Sequence, residues 1–287
     1  MKTVENIAFE TVVFSDLPHA IQEKFKLLLN STLAPKLRTL PRQLYVRGCL
    51  DLLNAPLVAV VGTRKPNPYT RTLTQELTRR LSLAGAVIVS GGAIGVDILA
   101  HKGAQKRTIC FSPAGIETYY PLTNVQELRR IATECLFVSE YTHDYMPHRW
   151  SFLERNRLII AIADWVVIPQ ADLQSGSMHS ANLAKTLKKP LFVLPHRLNE
   201  SKGTQQLLHN RYAEGIFDID EWIQKFKTDF CILDDIESKG SMCDPFYQYC
   251  ATMPSYDEAL GLFGDRLLNE ELMGHIQIVN GRVELCL

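Results

Sequence analysis

No stretch of this chain is apolar enough to lie across a bilayer. The longest uninterrupted apolar run, Leu158 to Ala163, falls far short of the roughly 20 residues a membrane helix needs. Glu5 and Glu10 stand where a secretory leader would carry basic and then apolar residues, so the expectation is a cytoplasmic protein without a membrane partner. A metal-binding cysteine pattern is also missing. The seven cysteines (Cys49, Cys110, Cys135, Cys231, Cys243, Cys250 and Cys286) include no Cys-x-x-Cys pair and no neighbouring histidine at ligand spacing, which predicts reduced thiols and no metal. Internal repeats and low-complexity tracts are absent. So is net charge: 31 Lys and Arg balance 31 Asp and Glu. That balance hides a division, because residues 228–287 carry 3 basic against 11 acidic side chains and residues 1–227 hold the remaining 28 and 20. Only the first part is an electrostatic host for phosphates.

What is present is the content of an ordinary globular protein, 46% hydrophobic and 22% charged over 287 residues, enough for one large domain or two smaller ones. From Leu57 to about Phe226, short runs rich in Val and Ile alternate with helical patterns. The runs are Leu57–Val61, Ala86–Ser90, Thr108–Ser112, Leu136–Ser139, Trp165–Pro169 and Pro190–Leu194. Between the first two, Tyr69, Leu73, Leu77 and Leu81 recur every four residues and Gly85 follows as a C-cap, which makes a βαβ unit. The same logic predicts helices near 96–105, 124–133, 151–163, 177–188 and 204–210. The expectation is a doubly wound, mostly parallel α/β sheet over residues 51–227, preceded by a short extension (1–50) packed on it. An acidic linker around Asp234–Gly240, three helical patterns and an Asn280-Gly281 turn between apolar runs follow. They predict a winged-helix-like module within residues 228–287.

Ligands of such sheets gather beyond the carboxyl ends of the strands, so the loops there are informative. After the first strand, Gly62, Thr63, Arg64 and Lys65 join a tight turn to two cations just before a helix. This suits a phosphate; a glycine turn with solvated basic residues is the competing reading. After the second strand, Ser90, Gly91 and Gly92 let backbone approach an anion at a helix N-terminus. The string is not GxGxxG, which disfavours a dinucleotide. Asp97 in the following helix either meets a ligand or interacts with its own helix dipole. After the fourth strand, a long loop mixes Tyr141, Tyr145, Arg149, Trp150 and Phe152 and runs into Arg155-Asn156-Arg157. Aromatic faces for unpaired bases beside cations for phosphates are what a single-stranded nucleic-acid site needs. In the alternative, the rings are core and the arginines pair with Glu140, Asp144 and Glu154. After the fifth strand, Gln170 and the Ser175-Gly176-Ser177 turn open a helix, offering either an anion site or a plain serine N-cap.

Taken together, VAVVGTRKP (58–66), VIVSGGAIGVDILAH (87–101), ETYYP (117–121), SEY (139–141) with SFLERNRLIIA (151–161), SGSM (175–178) and KPLFVLP (189–195) resemble the DNA-processing protein A family, also called DprA or Smf. The resemblance covers about residues 44–226. It implies an extended Rossmann fold that binds single-stranded DNA, forms a homodimer and loads the RecA recombinase during natural transformation, with no catalysed reaction and no cofactor. By position, the family's DNA pocket falls on Arg64, Arg149, Phe152, Arg155-Asn156-Arg157 and the Ser175–Ser177 turn. Two departures stand out: Ile94 occupies a position where the family often carries Arg, and Ser112-Pro113-Ala114-Gly115 replaces a glycine-rich turn. The tail, LLNEELMGHIQIVNGRVEL (267–285), looks like the family's winged-helix appendage.

Dimerisation is expected through an apolar cluster near the last sheet elements, Leu207, Leu208, Ile216 and Phe217, for which core packing is the alternative. Among other function classes, nucleotide hydrolysis of the lysine-decarboxylase-like phosphoribohydrolase kind would use a related sheet. Its helix-opening turn carries a glutamate that SGSMHSANLA does not supply. A purely structural scaffold leaves the cationic strand-end loops without a purpose.

Overall fold

The central sheet strands are short, and every position in them is buried. In β3 (Leu57–Val60), Leu57 and Ala59 belong to one core and Val58 and Val60 to another, because successive strand residues face opposite sides of a sheet. A computed structural model describes residues 9–32, 35–232, 245–250, 252–272, 276–279 and 281–285. The chain divides into two units, one through Ile232 and one from Leu233.

Seven parallel strands carry the first unit: β3, β4 (Val87–Ser90), β5 (Thr108–Ser112), β6 (Leu136–Ser139), β7 (Trp165–Ile168), β8 (Leu191–Val193) and β9 (Glu214–Gly215). Two further strands extend the sheet at one edge. β1 (Glu10–Val13) pairs antiparallel with β2 (Gln43–Gly48), and β2 pairs antiparallel with β6. The order is β1-β2-β6-β5-β4-β3-β7-β8-β9. Residues 1–50, expected as an extension packed on the sheet, thus supply two of its nine strands. The first helix, α1 (His19–Lys26), lies between β1 and β2 in the chain.

Helices cover both faces. Over one face lie α1, α5 (Ser151–Ile162), α6 (Gly176–Thr186) and α7 (Lys202–His209). Over the other lie α2 (Pro68–Leu83), α3 (Val96–Ala104), α4 (Val125–Glu134) and α8 (Ile219–Asp229). The last of these was not anticipated. Asp218 caps it by accepting the Glu221 N–H at 3.0 Å, and Trp222 and Phe226 pack on Trp165, so the first unit runs past residue 227. Leu207 and Ile216 are corrected as dimer contacts: both are core residues, 2% and 4% exposed. Leu208 is partly buried against the core, and only Phe217, 80% exposed, is presented outward.

The second unit contains α9 (Pro245–Cys250), α10 (Tyr256–Phe263), α11 (Asp265–Leu272) and an antiparallel hairpin of β10 (Ile276–Val279) and β11 (Arg282–Leu285). Ser255 and Glu258 form a capping box on α10. Phe246, Cys250, Ala259, Leu267, Ile276 and Val283 make its core. The Asp234–Gly240 linker and Asn280 lie outside the described residues. Among the described residues no helix is long and apolar enough to cross a membrane.

Candidate functional site

From β3 the chain winds one way through β4, β5 and β6, and from β7 it winds the other way through β8 and β9. The connections therefore part between β3 and β7, which opens a crevice at the strands' carboxyl ends. A cleft of about 350 Å³ occupies that position. Gly62, Thr63 and Arg64 reach it from β3, Ser175, Gly176 and Ser177 from the loop after β7, and Phe152, Arg155 and Asn156 from α5.

Each wall has a local cause. Thr63 donates its N–H to the Gln170 carbonyl at 3.0 Å, its own carbonyl accepts the Val96 N–H at 3.1 Å, and its hydroxyl accepts the Lys65 N–H at 3.2 Å. These bonds fix the turn that presents Arg64. Gly95 stands opposite with φ +93°, and a Cβ there would run into the Thr63 carbonyl and Arg64 backbone, so glycine is required for the close approach. Ser175 caps α6, accepting the Met178 N–H at 3.3 Å and donating to the Asp172 carbonyl at 2.6 Å. Gly176 and Ser177 open that helix, so their N–H groups have no earlier intrahelical carbonyl to bond and face an anion-competent end.

On α5, Phe152, Arg155 and Asn156 are three and four residues apart and share one helix face. Arg64 stacks its guanidinium over the Phe152 ring at 4.9 Å, and Tyr120 meets the same ring edge-on at 5.9 Å. Arg155 is buried: Nη1 donates to the Phe111 carbonyl at 2.7 Å, and Nε has no hydrogen-bond partner among the described residues. Beside it, Asp97 is buried, with the backbone N–H groups of Ala93 and Gly62 acting on its carboxyl. Burial pushes the Asp97 carboxyl up and the Arg155 guanidinium down from their ordinary values, each partly countered by the other's charge. The floor of the cleft thus holds two buried side chains of opposite charge, and an exposed cation at its mouth is Arg64.

Several expected residues lie elsewhere. Arg157 is one step further along α5, about 100° away from Asn156 around the helix, and is buried with Nη2 donating to Glu140 at 2.5 and 2.7 Å. Burial raises the Glu140 carboxyl against the pull of that guanidinium. Arg157 is therefore corrected from ligand contact to internal ion pair. Ser90 is likewise internal, donating to the Val60 carbonyl at 2.6 Å. Gly91 and Gly92 are buried, and Gly91 leaves room for the Arg155 guanidinium. Gln170 holds two turns together, its carbonyl taking the Thr63 N–H and its Oε1 the Asn67 N–H at 3.0 Å. Lys65 and Arg149 are exposed on flanking loops and do not line the cleft. Neither Ser180 nor Trp150 was singled out as a site residue. Ser180 lines the cleft and accepts a hydrogen bond from Asn156 Nδ2 at 3.1 Å. Trp150 is 53% exposed and stacks on His148 at 5.8 Å.

Residues 28–227 match the family described as DNA recombination-mediator protein A. The chain belongs to that family. Among relatives of this recombination-mediator family, DNA processing protein DprA of Bacillus subtilis is 32% identical over 162 residues, covering 55% of this chain and 54% of the relative. Protein Smf of Synechocystis is 34% identical over 179 residues, covering 59% of this chain and 45% of the relative. The chain spans about half the length of these curated relatives. Among solved structures, DNA processing protein A from Helicobacter pylori, described for its single-stranded DNA binding mode, superposes with a TM-score of 0.70 at 45% identity. That match covers 78% of this chain and 98% of the other. DprA from Streptococcus pneumoniae gives 0.65 at 27% identity over 74% and 72%. Both share the nine-stranded unit's Rossmann-like α/β architecture.

Proposed function

We propose that this protein binds single-stranded DNA in the cleft between β3 and β7, protects incoming strands and loads RecA on them during natural transformation. The observation that carries the reading is the Arg64–Phe152 contact at the mouth of a crevice backed by the α6 N-terminus. A phosphate finds a cation and free N–H groups there, and a base finds a ring. The 45% identity to the H. pylori protein supports the ligand class.

The role is binding without catalysis: α6 brings no carboxylate to the cleft, and the Asp97 carboxyl is spent on backbone N–H groups and the nearby Arg155. Incubation with nucleoside monophosphates is expected to release no base. A homodimer is part of the reading, with Phe217 as its exposed apolar contact; light scattering at tens of micromolar, on the order of a weak dimer constant, tests it. The second unit, read as winged-helix-like, does not meet duplex DNA, since α11 sets Asp265, Glu270 and Glu271 against Arg266.

A competition gel of single-stranded against duplex DNA at two salt concentrations tests the main claim. If about three phosphates are neutralised, log affinity falls against log salt with a slope near −2. Equal binding of duplex, or a slope near zero, overturns it.

A further inference from the structure

Past the Asn156–Ser180 hydrogen bond, the cleft continues into a smaller pocket of about 170 Å³ between α5 and α6. Leu153, Asn156 and Ser180 line both spaces. The two helices start at the cleft and pack on each other, so the groove between them leads away from the α6 N-terminus. His179, Asn182, Leu183 and Thr186 stand at i, i+3, i+4 and i+7 on α6 and form one stripe along it. Leu37, at the end of the short 3-10 turn Pro35–Leu37, completes the wall.

The two spaces differ in charge. Arg64 stands at the mouth of the first, whereas among the described residues no Lys, Arg, Asp or Glu lines the second. A phosphate entering it would lose water without meeting a counter-charge. Leu37, Leu153 and Leu183 give the pocket apolar walls. His179 and Asn182 are exposed at its rim, and their side chains make no hydrogen bond among the described residues. Apolar walls for the faces of a ring and free polar groups for its edge are what an unpaired base needs.

We propose that the pocket between α5 and α6 holds a second nucleobase of the strand whose phosphate sits at the α6 N-terminus. Asn182 lies six residues beyond Gly176, about 9 Å along the helix, so the base belongs to a nucleotide close to the anchored one. Once that phosphate is held, entry of the base is an intramolecular step, and a shallow uncharged pocket adds affinity that it would not show for a free base. The strand thus leaves the cleft along the α5–α6 groove, with phosphate and first base at Arg64 and Phe152 and the second base against Leu153 and Leu183. The inference rests on the proposed single-stranded DNA binding.

Labelled abasic phosphodiester strands carrying a single thymidine, or a pair at varied separations, isolate the second base from the first. Fluorescence anisotropy is expected to show the second thymidine tightening binding about three- to tenfold at short separations and adding little at long ones. The double variant His179→Ala/Asn182→Ala removes two exposed side chains and leaves good helix formers in their place. It is expected to lose most of that gain while keeping its affinity for the single-thymidine strand, whereas Arg64→Ala weakens every strand and leaves the gain. A 4-thiothymidine at the second position is expected to cross-link to residues 179–186, Leu37 or Leu153. No gain at any separation, a gain that the double variant keeps, or cross-links confined to other segments overturns the inference and leaves the proposed function standing. Failure to bind both these strands and oligothymidylate overturns the proposed function itself.

Discussion

The guanidinium carbon of Arg64 lies over the Phe152 ring, 4.9 Å from its centroid, so the cation that meets phosphate and the ring that meets a base support each other. Arg64→Ala is expected to reduce the salt slope of single-strand binding by about 0.7 and to weaken every sequence alike. Phe152→Ala is expected to cost about 1–3 kcal/mol with little change in slope, because stacking releases no counterions. In a double-mutant cycle the two effects fall short of additivity by about 0.5 kcal/mol or more. Phe152→Ala binding like the parent would remove the ring from the site.

Arg157 and Glu140 form a pair that is 4% and 20% exposed at the side chains. Arg157→Ala leaves the Glu140 carboxylate buried and alone, a change of about 3–5 kcal/mol in stability. Urea denaturation checks this. The folded fraction is expected to bind single-stranded DNA as the parent does, since the pair does not line the cleft.

Trp150 is 53% exposed whereas Trp165 and Trp222 are buried at 3% and 4%. Tyr141 and Tyr145 of the same loop stack at 4.2 Å and are tied to Glu154 and Ser151. Intrinsic fluorescence is expected to be quenched by oligothymidylate through Trp150. Trp150→Phe, which keeps an aromatic face, retains most of the affinity and loses the quenching. Quenching that survives in the variant would place the strand's bases away from this loop.

Lys189 donates Nζ to the Ala163 carbonyl at 2.7 Å, and burial lowers its pKa from 10.5 to about 8. Between those values the unfolded chain binds more protons than the folded one, so this group adds stability as pH rises from 8 to 10.5. Urea midpoints are expected to gain less over that window in Lys189→Met than in the parent.

Removing residues 233–287 is expected to leave single-strand affinity unchanged or slightly raised. The cut belongs after Ile232, because Phe230 and Ile232 pack against the core that holds Trp222 and Phe226. A tenfold loss with the remaining unit folded would show that the acidic unit takes part.

The parallel strands were legible because a strand buried on both faces reads as a continuous apolar run; Leu136–Ser139 and Thr108–Ser112 match residue for residue. β1 was not, since only Val12 of its four residues is buried, and β9 has just two residues. Within the site, Arg64, Phe152 and the Ser175–Ser177 turn were readable from their loops. The Arg155-Asn156-Arg157 string was misread as a unit because a helix turns about 100° per residue, sending Arg155 to the cleft floor and Arg157 to Glu140.

In β2, Tyr45 pairs with Ser139 of β6. During synthesis the β1–β2 segment therefore emerges about 90 residues before its partner exists, a wait on the order of 5–20 s at ordinary ribosome speeds. α1 waits longer, because Lys24 closes on Asp164. Through that interval β2 offers an unpaired edge, which leaves residues 43–48 of the nascent chain open to pairing with the wrong strand.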